Sequence, residues 1–239
     1  MSSVIRRFSE KGLTIASFND LSTVARTSIE EMIKFPTDYV EEKLGGRGAV
    51  RFGELPGFGD VVIKQYARGG VLRRLVKSSH LKIGKIVRSQ WEFLTLHRVR
   101  QLGVRAPLPI AFVYTDGLFY KAWLVMEKIP EAHSLAFLAN SNERAVRYSA
   151  SEVIRQIEIL VRNQIFHLDL HPGNVLVDNQ GMVWFIDFDK AKRVEISKQQ
   201  LKELYLRRWR RAVIKHELPD YLSELICGGL RRLEEDEQL

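Results

Sequence analysis

The apolar residues of this chain change their period once, near residue 130, and that change limits the fold more than any other feature of the sequence. Before it, short β-branched and aromatic runs are punctuated by glycine and proline. Residues 49–55 are followed by the turn Pro56-Gly57-Phe58-Gly59, and then by Val61, Val62 and Ile63 ending on Lys64. Runs this short, bounded by turn residues, predict strands. Pro107 and Pro109 introduce two more such runs, 110–114 and 118–126, joined by Thr115, Asp116 and Gly117. Ahead of these two runs a helix is expected over 88–101, which Gly103 can end. After Pro130 the pattern turns helical, and Val153, Ile154, Ile157, Leu160 and Val161 follow the spacing of a buried helical face. The reading is α+β: an antiparallel sheet of about five strands with one main helix over residues 1–129, and a small helical part over 130–239. Residues 1–40 read as a weakly patterned lead-in that serves as packing material. It holds one helix, marked by the capping-box spacing of Ser28 and Glu31 ahead of Met32 and Ile33.

The helical part is interrupted once, and the interruption carries the chemistry. The stretch His167-Leu168-Asp169-Leu170-His171-Pro172-Gly173-Asn174 runs into Val175, Leu176 and Val177, a turn at 178–181 and a returning run at 182–186, then Asp187-Phe188-Asp189. The middle portion reads as a small hairpin, which returns the chain to where it left. Asp169 and Asn174 have the D-x-x-x-x-N spacing of a phosphoryl-transfer catalytic loop, and Asp187-Phe188 matches the start of the metal-binding D-F-G element. The residue types suit the reaction. A carboxylate, Asp169, accepts or orients the proton of the acceptor hydroxyl, while Asn174 and Asp187 hold the Mg2+ that bridges the phosphates of ATP. Taken singly, each is an ordinary loop residue making local hydrogen bonds. Taken together, after a buried helix and around a hairpin, they predict an ATP-dependent phosphotransferase.

Upstream, Lys64 stands at the strand end from which a lysine reaches the α- and β-phosphates. Glu92 is its expected partner, because Leu96 and Val99 place it on the apolar side of its helix and a carboxylate there needs a cation. Gly46, Arg47 and Gly48 fit either a phosphate-covering loop or a plain tight turn. His167 is expected to brace the catalytic loop, and His171 to lie within reach of phosphate or acceptor.

The 37 Lys+Arg against 29 Asp+Glu leave +8, which points to an anionic partner: phosphate, nucleic acid or an acidic membrane surface. With Cys227 as the sole cysteine, an intrachain disulfide and a cysteine-based zinc site are excluded, which suits a reducing compartment. The N-terminal residues lack the apolar core of a signal peptide, and no apolar run approaches the ~20 residues that span a bilayer. Membrane contact is therefore expected to be peripheral. The basic segment at 68–88 and the cluster Arg207, Arg208, Arg210 and Arg211 are the candidates for it.

From about residue 46 to 193 the chain resembles the bacterial lipopolysaccharide core kinases. The likeness runs through Gly46-Arg47-Gly48, Tyr66-Ala67-Arg68-Gly69-Gly70, Arg88 ahead of Glu92, and Leu102-Gly103-Val104 with Pro107 and Pro109. It continues through His167-Leu168-Asp169 with Asn174, and Ile186-Asp187-Phe188-Asp189-Lys190-Ala191. The resemblance implies a protein-kinase-like two-lobed fold, with a β-rich nucleotide-binding lobe over 1–129 and a catalytic lobe over 130–239. It implies transfer of the ATP γ-phosphate to the 4-hydroxyl of a 3-deoxy-D-manno-octulosonic acid (Kdo) unit on lipid A, at the cytoplasmic face of the inner membrane. The partners implied are the lipid-linked sugar and an anionic membrane surface, with no nucleic acid. A heptose acceptor is the alternative within the family, and His171-Pro172-Gly173 also looks like the loop of small-molecule kinases. A protein substrate is disfavoured because no A-P-E element follows Asp187. A silent anion-binding module is disfavoured by the intact set of Lys64, Asp169, Asn174 and Asp187.

Overall fold

A turn through Gly12, at φ 77°, folds the N-terminal residues into two strands, β1 (Arg6–Glu10) and β2 (Leu13–Ser17). They are followed by α1 (Thr23–Lys34), β3 (Val50–Leu55), β4 (Gly59–Gln65), β5 (His80–Leu81), α2 (Arg88–Gln101), β6 (Pro109–Thr115), β7 (Phe119–Tyr120) and β8 (Ala122–Glu127). This is a computed structural model, and it describes residues 4–10, 12–35, 50–66, 80–81, 87–117 and 119–236. The chain forms two units, Met1–His97 with Leu108–Lys128, and Arg98–Pro107 with Ile129–Leu239.

The first unit is built on a six-stranded sheet in the order β1-β2-β6-β8-β4-β3, antiparallel throughout. Side chains alternate between its faces. Ile15, Val61, Ile63, Val113 and Val125 bury one face against Ala25 and Ile29 of α1. Phe112 turns the other way and meets Phe93 of α2 at 5.1 Å between ring centroids. Fully burying an aliphatic or aromatic side chain contributes about 1.5–3 kcal/mol, so both helices are fixed by the sheet rather than by their own propensity.

Two expectations are corrected here. The lead-in is not mere packing material: β2 pairs with β6, from Leu13 opposite Thr115 to Ala16 opposite Phe112, and adds two strands to the sheet. Its four residues from Thr14 to Ser17 are all buried, so the in-out alternation that marks a half-exposed strand is missing. The helix also begins one and a half turns earlier than the capping-box spacing implied. Ser22 is the N-cap, its Oγ accepting from Ala25 N at 3.1 Å, and Ser28 lies inside α1.

The second unit contains β9 (His133–Ser134), α3 (Leu135–Ser141), α4 (Glu143–Arg162), β10 (Ile165–Phe166), β11 (Val175–Val177), β12 (Val183–Phe185), β13 (Lys192–Arg193), α5 (Lys198–Lys215) and α6 (Tyr221–Asp236). Helix α4 buries Val153, Ile157, Leu160 and Val161, the face that the spacing predicted. Gln156 is also buried there, and the carboxamide reconciles this with the apolar surroundings. It accepts from Arg105 N at 2.9 Å and donates to Val183 O at 2.8 Å, so both of its ends are satisfied. Helix α5 starts with a full capping box, Ser197 with Gln200.

Candidate active site

Strand β10 feeds directly into the loop that carries Asp169. Tyr205, one face of α5, fastens that junction: its hydroxyl donates to Ile165 O and accepts from His167 N, each at 2.8 Å. Burial keeps the phenol protonated far above its ordinary range. His167 is wholly buried, and its Nε2 donates to Ile186 O at 3.0 Å while its ring packs on Phe188 at 4.3 Å. Burial pushes its pKa from 6.5 down to about 4, so the ring is neutral and carries its proton on Nε2. One side chain thus ties the segment before Asp169 to the segment holding Asp187.

The hairpin expected between the two halves is present. Strands β11 and β12 pair with Val175 opposite Phe185 and Val177 opposite Val183. Asp178 Oδ1 accepts from Gln180 N and Met182 N, the side chain shaping the turn. Asn174 closes the loop from within. Its Nδ2 donates to Asp169 O at 2.8 Å and its carbonyl accepts from Ile186 N at 3.1 Å. With the amide nitrogen turned inward, Oδ1 accepts no hydrogen bond among the described residues, which leaves it as a donor atom for a cation. Pro172–Asn174 form a single 3₁₀ turn capped by His171, whose Nδ1 accepts from Gly173 N at 3.0 Å. A Cβ on Gly173 would stand 2.9 Å from the His171 ring, so a larger residue there would push that ring aside.

Asp187 sits in the left-handed region at φ 64°, a conformation that aspartate tolerates better than most residues and that is concentrated at functional positions. Asp169, Asp187 and Asp189 each bring a carboxylate oxygen within 4.8 Å of the others. Oxygen donors this close suit a hard divalent cation. Asp169 is further held by two cations: Lys190 Nζ lies 2.5 Å from Oδ2 and Arg208 NH2 2.5 Å from Oδ1. Burial raises the Asp169 carboxyl, but the hydrogen bond and charge of Lys190, together with the charge of Arg208, outweigh it and hold the group below its ordinary value.

In the first unit, Lys64 Nζ donates to both oxygens of Glu92, at 2.9 and 2.8 Å, and Tyr66 adds its hydroxyl to Oε2. Glu92 is 0% exposed, so its charge is compensated inside the fold. Gly46, Arg47 and Gly48 lie outside the described residues. Sequence reading gave Asp189 and Lys190 no role in the site and counted Arg208 only in the basic cluster with Arg207, Arg210 and Arg211. The first two stood in the quoted run ending Asp187-Phe188-Asp189-Lys190, where the charges could have been paired with Asp169. Arg208 offered a weaker sign: on α5 it adjoins the buried stripe of Leu201, Tyr205 and Trp209, where a charged residue needs a partner.

A profile described as the lipopolysaccharide kinase (Kdo/WaaP) family matches residues 30–221. The chain belongs to this family. Among curated proteins, the 3-deoxy-D-manno-octulosonic acid kinase of Xylella fastidiosa (strain M23) is 32% identical over 173 residues, 72% of this chain and 68% of that protein. A protein of the same name from Vibrio cholerae serotype O1 is 37% identical over 152 residues, 61% of this chain and 62% of its own length. The one from Vibrio parahaemolyticus serotype O3:K6 is 32% identical over 187 residues, 76% and 77% of the two chains.

Proposed function

We propose that this chain transfers the γ-phosphate of ATP to the 4-hydroxyl of 3-deoxy-D-manno-octulosonic acid in the lipopolysaccharide inner core, on Kdo-lipid A. The observation that carries the reading is the convergence of Asp169, Asp187 and Asp189 on a loop clipped by Asn174, in a member of a lipopolysaccharide kinase family. Asp169 takes the proton of the acceptor hydroxyl as the new oxygen–phosphorus bond forms and the bond to the departing ADP breaks. Lys64, steadied by Glu92, holds the α- and β-phosphates. The nucleotide thus belongs to residues 1–129 and the acceptor chemistry to 130–239. Asn174 and Asp187 would hold magnesium, with Asp189 offering a further oxygen, and the ion would supply neutralisation of phosphate charge. The basic surface holds the enzyme at the anionic cytoplasmic face of the inner membrane.

The test is to incubate the protein with ATP and magnesium on Kdo-lipid A, beside a heptosylated core, and to locate new phosphate by mass spectrometry. Phosphate on the Kdo unit is the expected result. Phosphate on heptose alone, or none on either acceptor, would overturn the reading.

A further inference from the structure

We infer that Arg208, backed by Lys190, binds the carboxylate of the acceptor and thereby selects which hydroxyl is presented to Asp169. The inference rests on the proposed sugar-acid reading and names the residues that make the acid group a requirement.

Asp169 carries one negative charge and is contacted by two cations, each at 2.5 Å. Asp187 and Asp189 lie close by and would face the magnesium they are proposed to hold, so that Asp169 would be the one carboxylate shared by the two cations. Donor capacity points the same way. An ammonium has three donors and a guanidinium five, and Asp169 engages one of each. Lys190 is 55% and Arg208 35% exposed, so the groups are open to a ligand beside the base.

The position of Arg208 on its helix also matters. It projects from α5 one turn after Tyr205, whose hydroxyl grips Ile165 O and His167 N just ahead of Asp169. Arg208 Nε is buried and finds no hydrogen-bond partner among the described residues. The guanidinium thus bonds Asp169 through NH2 while its Nε remains unused. A planar guanidinium is matched to a carboxylate. The relatives' printed substrate, 3-deoxy-D-manno-octulosonic acid, is a sugar acid and carries one at neutral pH. Fixing that carboxylate turns the sugar ring about one anchored point, which limits the hydroxyls able to reach Asp169.

The experiment compares a soluble methyl glycoside of the sugar acid with its carboxamide, which has the same shape without the charge. Steady-state kinetics are measured at saturating ATP for the parent, Arg208→Gln, Arg208→Lys and Lys190→Gln, with a melting curve for each. The parent should favour the acid over the amide by about 10- to 100-fold in kcat/KM, the range of a charge-assisted hydrogen bond. Arg208→Gln should bring that ratio close to one, mainly through a higher KM for the acid, with the KM for ATP unchanged. Arg208→Lys should keep part of the preference. If Arg208→Gln fails to melt cooperatively, Lys190→Gln decides, and it should lower the ratio in the same direction. Equal losses on both acceptors with the ratio preserved would show that the cations serve Asp169 or the transferred phosphoryl, and would overturn the inference. A parent that uses acid and amide equally would overturn it alone, whereas a parent that phosphorylates neither would overturn the proposed function with it.

Discussion

Asp169 faces two opposed demands. A base must be ionised, yet burial raises its carboxyl, and only Lys190 and Arg208 bring it below the ordinary range. Asp169→Asn should therefore lower turnover by about 10²- to 10⁴-fold, the usual contribution of a positioned base, while leaving nucleotide affinity close to the parent's. Turnover within a few-fold of the parent would remove Asp169 from the base role. His167 makes a second prediction, with the sign set by its lowered pKa. The unfolded chain takes up a proton as pH falls below 6.5, while the folded chain resists it until about 4. Stability present at neutral pH is thus lost as pH falls through that window, by up to about 1.4 kcal/mol per pH unit. The stability advantage of the parent over His167→Gln should shrink between those values. A difference in melting temperature that stays constant across the window would contradict the assignment of a buried neutral imidazole.

At the scale of elements, what could be read from the sequence was whatever repeats with a clear period. Helices α2 and α4, strands β3, β4, β6 and β8 and the β11–β12 hairpin all lie close to where spacing and turn residues placed them, whereas β5 falls in a segment read only as basic and the run 118–126 is divided into β7 and β8. Strands β1 and β2 were illegible for a physical reason: β1 is an edge strand with little apolar surface, and β2 is covered on both faces, so neither alternates. The site divides in the same way. Residues held by local spacing, Asp169 with Asn174, were visible, whereas Arg208 reaches Asp169 only through the tertiary placement of α5. Lys64 and Glu92 form an intermediate case, on two different elements but both legible from burial logic. Helix α2 and strand β4 meet through this pair, and removing one partner would leave a charge stranded in the interior at about 3–5 kcal/mol. Lys64→Met and Glu92→Leu combined should accordingly cost little more in stability or turnover than either alone. Strictly additive losses in a double-mutant cycle would show that the two act independently.

At the scale of the molecule, the surplus of +8 has to be divided between chemistry and surface. The arginine cluster near 210 was read as one basic patch, and α5 separates it into three roles. Arg208 turns to Asp169, Arg210 is half-buried beside Cys227, and Arg207 and Arg211 are exposed on one side of the helix with Lys215 and Ile214, which is 74% exposed. The spacing of 207, 211, 214 and 215 puts these on a single stripe of cations around one apolar side chain. No helix among the described residues is long and apolar enough to cross a membrane. Each basic residue near an anionic bilayer contributes about 1 kcal/mol, so Arg207→Ser, Arg211→Ser and Lys215→Ser together should weaken partitioning onto anionic vesicles on the order of 100-fold. Added salt should mimic the triple variant, and vesicles of neutral lipid should bind neither protein. Because Arg208 faces the site, Arg208→Gln should leave vesicle binding at the parent level. The triple variant should lose turnover on the lipid-linked acceptor while keeping it on the soluble glycoside. Equal losses on both acceptors, or vesicle binding indifferent to salt, would mean that the stripe does not serve as a membrane contact.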